Sequence, residues 1–126
     1  MNFIEEQMKQ EGDVRFEFDG FQCRMIRQMG GGGFLCGYVM LPKENKFHGA
    51  NYEDIPIDCH GGLTFSGQLR NDTENYWIGF DCAHLGDISP RWPEMFRDPH
   101  SSYKNAAYVR SEIESIVRQL KDLEAK

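Results

Sequence analysis

Several things this chain does not have narrow it at once. It has no run of about 18 apolar residues, and its opening, MNFIEEQMKQEGD, carries neither a basic stretch nor an apolar one. A membrane span and a secretory leader are therefore not expected, and the chain reads as cytoplasmic. It has no block of Lys or Arg, and its net charge is −6, so it lacks the accumulated positive charge that holds a DNA or RNA polymer. One or two placed arginines would still suffice for a small anion. No CxxC pair, no GxSxG elbow and no GK[ST] after a glycine run is present. A zinc knuckle, an α/β-hydrolase serine and a P-loop thus lose their sequence signatures.

What is present is enough for one compact domain spanning 1–126, since 40% of its 126 residues are hydrophobic and 13% aromatic. Its four cysteines, Cys23, Cys36, Cys59 and Cys82, are spread evenly and read as reduced, with burial in strands the commonest fate of such residues. The alternation Val14, Phe16, Phe18, then Asp19-Gly20, then Phe21, Cys23, Met25 predicts two strands joined by a tight turn. Gly30 to Gly33 lead into an apolar stretch over 34–41, so the glycines read as a hairpin loop and the stretch as a buried strand. The polar segment 42–54 reads as an exposed loop, and 55–58, 63–66 and 76–82 as further strands. A short N-terminal helix is weakly patterned in the first ten residues. Val109, Ile113, Ile116, Val117, Leu120 and Leu123 recur at spacings of three and four, which predicts an amphipathic helix with Asn105 as its N-cap. Strands followed by one helix give an α+β fold: an antiparallel or mixed sheet of about five to six strands and a long C-terminal helix.

Two polar clusters stand out in these apolar surroundings, IDCHGGLTFSG at 57–67 and WIGFDCAHLGD at 77–87. Each brings an Asp, a Cys and a His together beside glycine. Zinc fits them poorly, because Cys59 and His60 are adjacent and on a strand would point to opposite faces. A Cys59 or Cys82 nucleophile with a His base would need spatial contact that sequence adjacency does not supply. Noncovalent recognition suits the parts better. Phe80 can stack on a base, His60 and His84 can donate to phosphate or ribose, and Asp58, Asp81 and Asp87 can accept from hydroxyls or an amine. On the helix, Arg110, Glu114 and Arg118 line one edge of the apolar stripe. Arg110 reads equally as a ligand contact or a surface ion pair, and Arg118 more readily as the latter. Tyr103 and Tyr108 could reach the same site as Phe80, and Trp92 reads as a lid or a packing anchor. His48 and His100 read as exposed. No catalytic residue, metal ligand or cofactor is expected.

HGGLT at 60–64, W-x-GFDCAH-x-GD at 77–87 and Y-V-x-x-E at 108–112 together resemble a family of small phage proteins, the first type of Thoeris anti-defence protein. The likeness covers most of the second half. It implies a sponge that binds and sequesters cyclic ADP-ribose signals made by bacterial TIR-domain defence enzymes, such as glycocyclic ADP-ribose, without cleaving them. It further implies a pocket between protomers in which an aromatic and an arginine hold the adenine, roles that fall by motif on Phe80 and Arg110. Asp81, His84, Tyr103 and Arg118 complete the expected ligand-binding set. A homo-oligomer is implied too, a dimer through the C-terminal helix, with hexamers that hold cyclic oligonucleotides at a separate site as the family's higher form. The breadth of the helix's apolar stripe agrees with such pairing, or simply with a helix covering one sheet face. The rival reading is a metal- or cysteine-dependent hydrolase of a small nucleotide signal.

Overall fold

The computed structural model describes residues 13–28, 33–84, 87–88, 100 and 102–125. Among these residues are five strands, β1 (Val14–Phe18), β2 (Phe21–Gln28), β3 (Phe34–Leu41), β4 (Phe65–Leu69) and β5 (Asp72–Asp81), followed by one helix, α1 (Ala106–Glu124). The strands form a single sheet in the order β1-β2-β3-β5-β4, with every neighbouring pair antiparallel. This is the α+β fold expected, at the lower strand count. The β1–β2 turn is Asp19-Gly20, both at positive φ (49° and 89°), the geometry a two-residue hairpin needs to match the twist of its strands. The predicted N-terminal helix, most of the 30–33 glycine run and Trp92 lie outside the described residues.

The helix lies across one face of the sheet, chiefly on β3 and then β2. Val109, Ile113, Ile116, Val117 and Leu120 have no exposed surface, and they meet Cys23 and Met25 of β2, Leu35, Val39 and Leu41 of β3, and Ile78 and Phe80 of β5. Each such side chain contributes roughly 1.5–3 kcal/mol on burial. The stripe is fully covered within the chain, so it offers a second copy nothing to bury. Asn105 caps the helix as its sequence suggests, its side chain accepting from the N–H of Tyr108 at 2.9 Å. No helix among the described residues is long and apolar enough to cross a membrane.

Three expectations need correction. Residues 55–58 are not a strand, although Ile55 and Ile57 do alternate into the core. Their backbone is served by the helix instead: Gln119 Oε1 accepts from the N–H of Asp58 at 2.8 Å and its amide donates back to the Asp58 carbonyl at 2.7 Å. A side-chain amide thus takes the place of a strand neighbour. The strands expected at 63–66 and 76–82 are the hairpin Phe65–Leu69 and Asp72–Asp81. Its polar tip, where Asp72 accepts from Asn75 and from Trp77 Nε1, shows no hydrophobic alternation to read. Finally, 42–54 is not wholly exposed. Asn45 is buried and donates to Glu124 Oε1 at 2.8 Å, and Lys46 donates to the Leu123 carbonyl at 2.7 Å, which ties the loop to the C-terminal end of α1.

Candidate functional site

The polar clusters converge where β5 leaves the sheet beside the first turn of α1. A tight turn closed by Gly62 N–H on the Cys59 carbonyl, with Gly61 and Gly62 at φ 67° and 79°, presents His60. Asp87 is pinned by its N–H on the His84 carbonyl and by a parallel bridge to Ser102. Tyr108 comes from the helix and Lys104 from the residues just before it.

His60 stands at the centre of this network. Its Nε2 lies 2.7 Å from Asp87 Oδ2, and its Nδ1 lies 2.7 Å from the Tyr108 hydroxyl. An ionised carboxylate can only accept, so Nε2 carries the hydrogen toward Asp87, and in that tautomer Nδ1 accepts from Tyr108. Asp87 also accepts from the His84 backbone N–H at 3.1 Å and pairs with Lys104 at 3.2 Å. Its side chain is 1% exposed. Burial pushes the Asp87 carboxyl up, but the bonds from His60, His84 and Lys104 outweigh it and hold the pKa below its ordinary value.

Beside this lies a second pair. His84 Nε2 sits 3.1 Å from Asp81 Oδ1, and Asp81 Oδ2 accepts from Thr64 Oγ1 at 3.2 Å. The His84 ring rests on Gly61, where a Cβ would come within 2.3 Å of it. The two imidazoles meet edge to face, 5.7 Å apart. His84 Nε2 and Asp87 Oδ1 are buried atoms whose partners are charged neighbours, Asp81 Oδ1 at 3.1 Å and the Lys104 ammonium at 3.2 Å.

All four cysteines are free thiols. Burial pushes Cys23 up to about 11, Cys36 to about 12 and Cys59 to about 12, and raises Cys82 likewise. They are therefore protonated, weak nucleophiles at neutral pH. Burial also raises the Tyr108 phenol. Among the described residues no group of three or more His, Cys, Asp or Glu is arranged to hold a metal ion.

The structure brings Asp81 and His84 together, and adds His60, Asp87, Lys104 and Tyr108 to them. It places the remaining sequence-derived site residues elsewhere. Phe80 is 1% exposed and lies in the core, its ring against Gly37 and Ile113. Its faces are occupied by the protein, so in the single chain it shapes the site from beneath rather than stacking on a ligand. The Tyr103 hydroxyl accepts from Arg27 at 3.2 Å, and Arg27 also donates to the Gly33 carbonyl. Arg110 and Arg118 flank the other side of α1. The Arg110 guanidinium stands 4.3 Å over the Phe16 ring and that of Arg118 5.2 Å over Phe18, with Glu114 between them. Phe16 and Phe18 are on β1, three strand spacings from β5, about 14 Å.

Sequence reasoning named His60, Asp87 and Tyr108 singly but not as a unit, and it missed Lys104. Their partners are 27 and 48 residues apart in the chain, so no local spacing reveals the pairing. No family model matches the chain, and neither a curated protein nor a solved structure matches it.

Proposed function

We propose that this protein binds a small cyclic nucleotide signal and sequesters it without cleaving it, as the resemblance to the Thoeris anti-defence family implies. The observation that carries the reading is that the three motifs behind the resemblance converge in space, His60 of the first lying 2.7 Å from Asp87 of the second and 2.7 Å from Tyr108 of the third, in a network of mutually satisfied groups. Such a network holds its donors and acceptors in place before the ligand arrives, which lowers the ordering cost of binding. The protonated thiols and the raised Tyr108 phenol suit retention better than turnover. Arg110 and the His84 pair lie on different flanks of α1, so a ligand touching both sits between two copies. A homo-oligomer is thus part of the proposal, formed through faces other than the covered apolar stripe. Phe80 has an indirect role in it, supporting the helix and Gly37 behind the site.

A second reading is favoured by one observation. A histidine held between a buried carboxylate and a phenol is an acid–base constellation, and the Asp87–His60–Tyr108 row could assist hydrolysis of the same signal. One experiment separates the two. Purified protein is incubated with cyclic ADP-ribose isomers and cyclic di- and trinucleotides, its thermal unfolding is followed, and the ligand is recovered after heat denaturation. Sequestration predicts a raised Tm with at least one of them, by mass action on the folded state, and intact ligand afterwards. His84→Ala should lose most of that rise. Recovery of linear products would establish the hydrolase reading instead, and no Tm rise with any of them would remove both.

A further inference from the structure

The sheet face turned away from α1 carries a feature that the His60 cluster does not use. A single row crosses all five strands there in register: Arg15 of β1, Arg24 of β2, Tyr38 of β3, Gly79 of β5 and Phe65 of β4. Gly79 has no side chain, and the Tyr38 ring lies over it, where a Cβ would come within 2.4 Å. Phe65 meets Tyr38 edge to face at 5.6 Å. The β4–β5 turn then folds Gln68, Leu69, Arg70 and Asn71 up beside this floor and encloses a cleft of about 400 Å³, which Arg24 and Tyr38 line.

Arg24 is the anomaly. It is 5% exposed, its Nε has no hydrogen-bond partner, and no carboxylate pairs with it among the described residues. Its cross-strand neighbour is Arg15, a like charge directly opposite, which destabilises a ladder. A guanidinium that is 5% exposed and has no counter-charge is costly to fold, because most of its hydration is lost. Arg70 adds a third positive charge at the rim, against the single Asp13 lining the cleft. An acidic protein thus has three arginines, Arg15, Arg24 and Arg70, at one concave, aromatic-floored face.

We infer that this cleft is a binding site for a small organic phosphate with a planar ring, its oxyanion held by Arg24 and Arg70 and its ring laid against Tyr38 and Phe65. Guanidinium and phosphate match in geometry as well as charge, and the amides of Gln68 and Asn71 supply polar contacts to a heterocycle at the rim. The site lies on the opposite side of the sheet from the helix and does not depend on the His60 cluster.

Titration of ¹⁵N-labelled protein with AMP, inorganic phosphate and adenosine, in low salt, tests this. AMP should bind best, phosphate more weakly and adenosine least, with resonance shifts concentrated in β2, β3 and 68–71. Arg24→Met keeps the stem and removes the charge, so it should fold at least as stably and bind AMP at least tenfold more weakly. Arg24→Lys should fall between. The inference is overturned if AMP does not bind, if shifts concentrate at 60, 84 and 87, if adenosine binds as well as AMP, or if Arg24→Met keeps wild-type affinity. It is overturned equally if Arg24→Met changes the mass by light scattering, since Arg24 would then face a second copy.

Discussion

At the scale of the residue, glycine decides the candidate site. Gly61 does two things at once: it takes φ 67°, a conformation costing an L side chain about 1–2 kcal/mol, and it leaves the space that the His84 ring fills. Gly62 has the same kind of backbone (φ 79°) but nothing within 4 Å of a built Cβ. Comparing the two alanine variants therefore separates strain from packing. Gly62→Ala should cost only the strain, whereas Gly61→Ala should also displace His84, lower Tm by roughly 6–10 °C and shift the His84 imidazole resonances. Equal effects in both variants would mean that His84 does not rest on Gly61. HGG in the sequence advertised close approach of something to the backbone; that the something is a histidine from the next motif could not be read there.

At the scale of the element, the β3–β5–α1 contact is set by one register. Gly37 stands opposite Phe80 in the ladder, and the Phe80 ring folds across it beneath Ile113. A Cβ on Gly37 would meet Phe80 at 2.6 Å and Ile113 at 2.9 Å. Gly37→Ala should therefore destabilise by about 1–3 kcal/mol through overpacking. A smaller, more adaptable leucine at position 80 makes room, so the Gly37→Ala, Phe80→Leu double variant should be more stable than the two single losses sum to, with a coupling of about 1 kcal/mol in urea unfolding. Strict additivity would refute the contact. The strands β1, β2 and β3 and the helix were legible because each carries its own period, two or 3.6, and its own punctuation at Asp19-Gly20 and Asn105. Residues 55–58 misled because alternation reports burial of one face, whereas a strand also needs a neighbour, and here Gln119 of the helix fills that place.

At the scale of the whole molecule, stability should depend on acid through the same carboxylate that organises the site. The folded-state pKa of Asp87 lies below its ordinary value of 3.8, so the stability it contributes is present above about pH 4 and is lost as pH falls through the lowered value. Asp72, lowered chiefly by its bond from Asn75, acts in the same direction from the exposed hairpin tip. Asp87→Asn should lose about 2–3 kcal/mol at pH 7, since it leaves Lys104 and His60 without their buried partner. The gap to wild type in urea unfolding should narrow as pH falls below about 4 and close once pH passes the lowered value, where folded wild-type Asp87 is protonated too. A gap unchanged between pH 7 and pH 3 would show that Asp87 acts by shape and not by charge. The sequence by itself determined the α+β class, the helix and its cap, the first hairpin and the burial of Cys23, Cys36 and Cys82, though not of the half-buried Cys59, because these follow from local periodicity, turn chemistry and hydrophobicity. Only the tertiary structure decided that Phe80 belongs to the core, that Arg110 and His84 lie on different flanks of one helix, and that His60, Asp87, Lys104 and Tyr108 form one network. Those are contacts between residues far apart in the chain, and which of them form depends on strand order and on the face the helix covers, neither of which any single segment encodes.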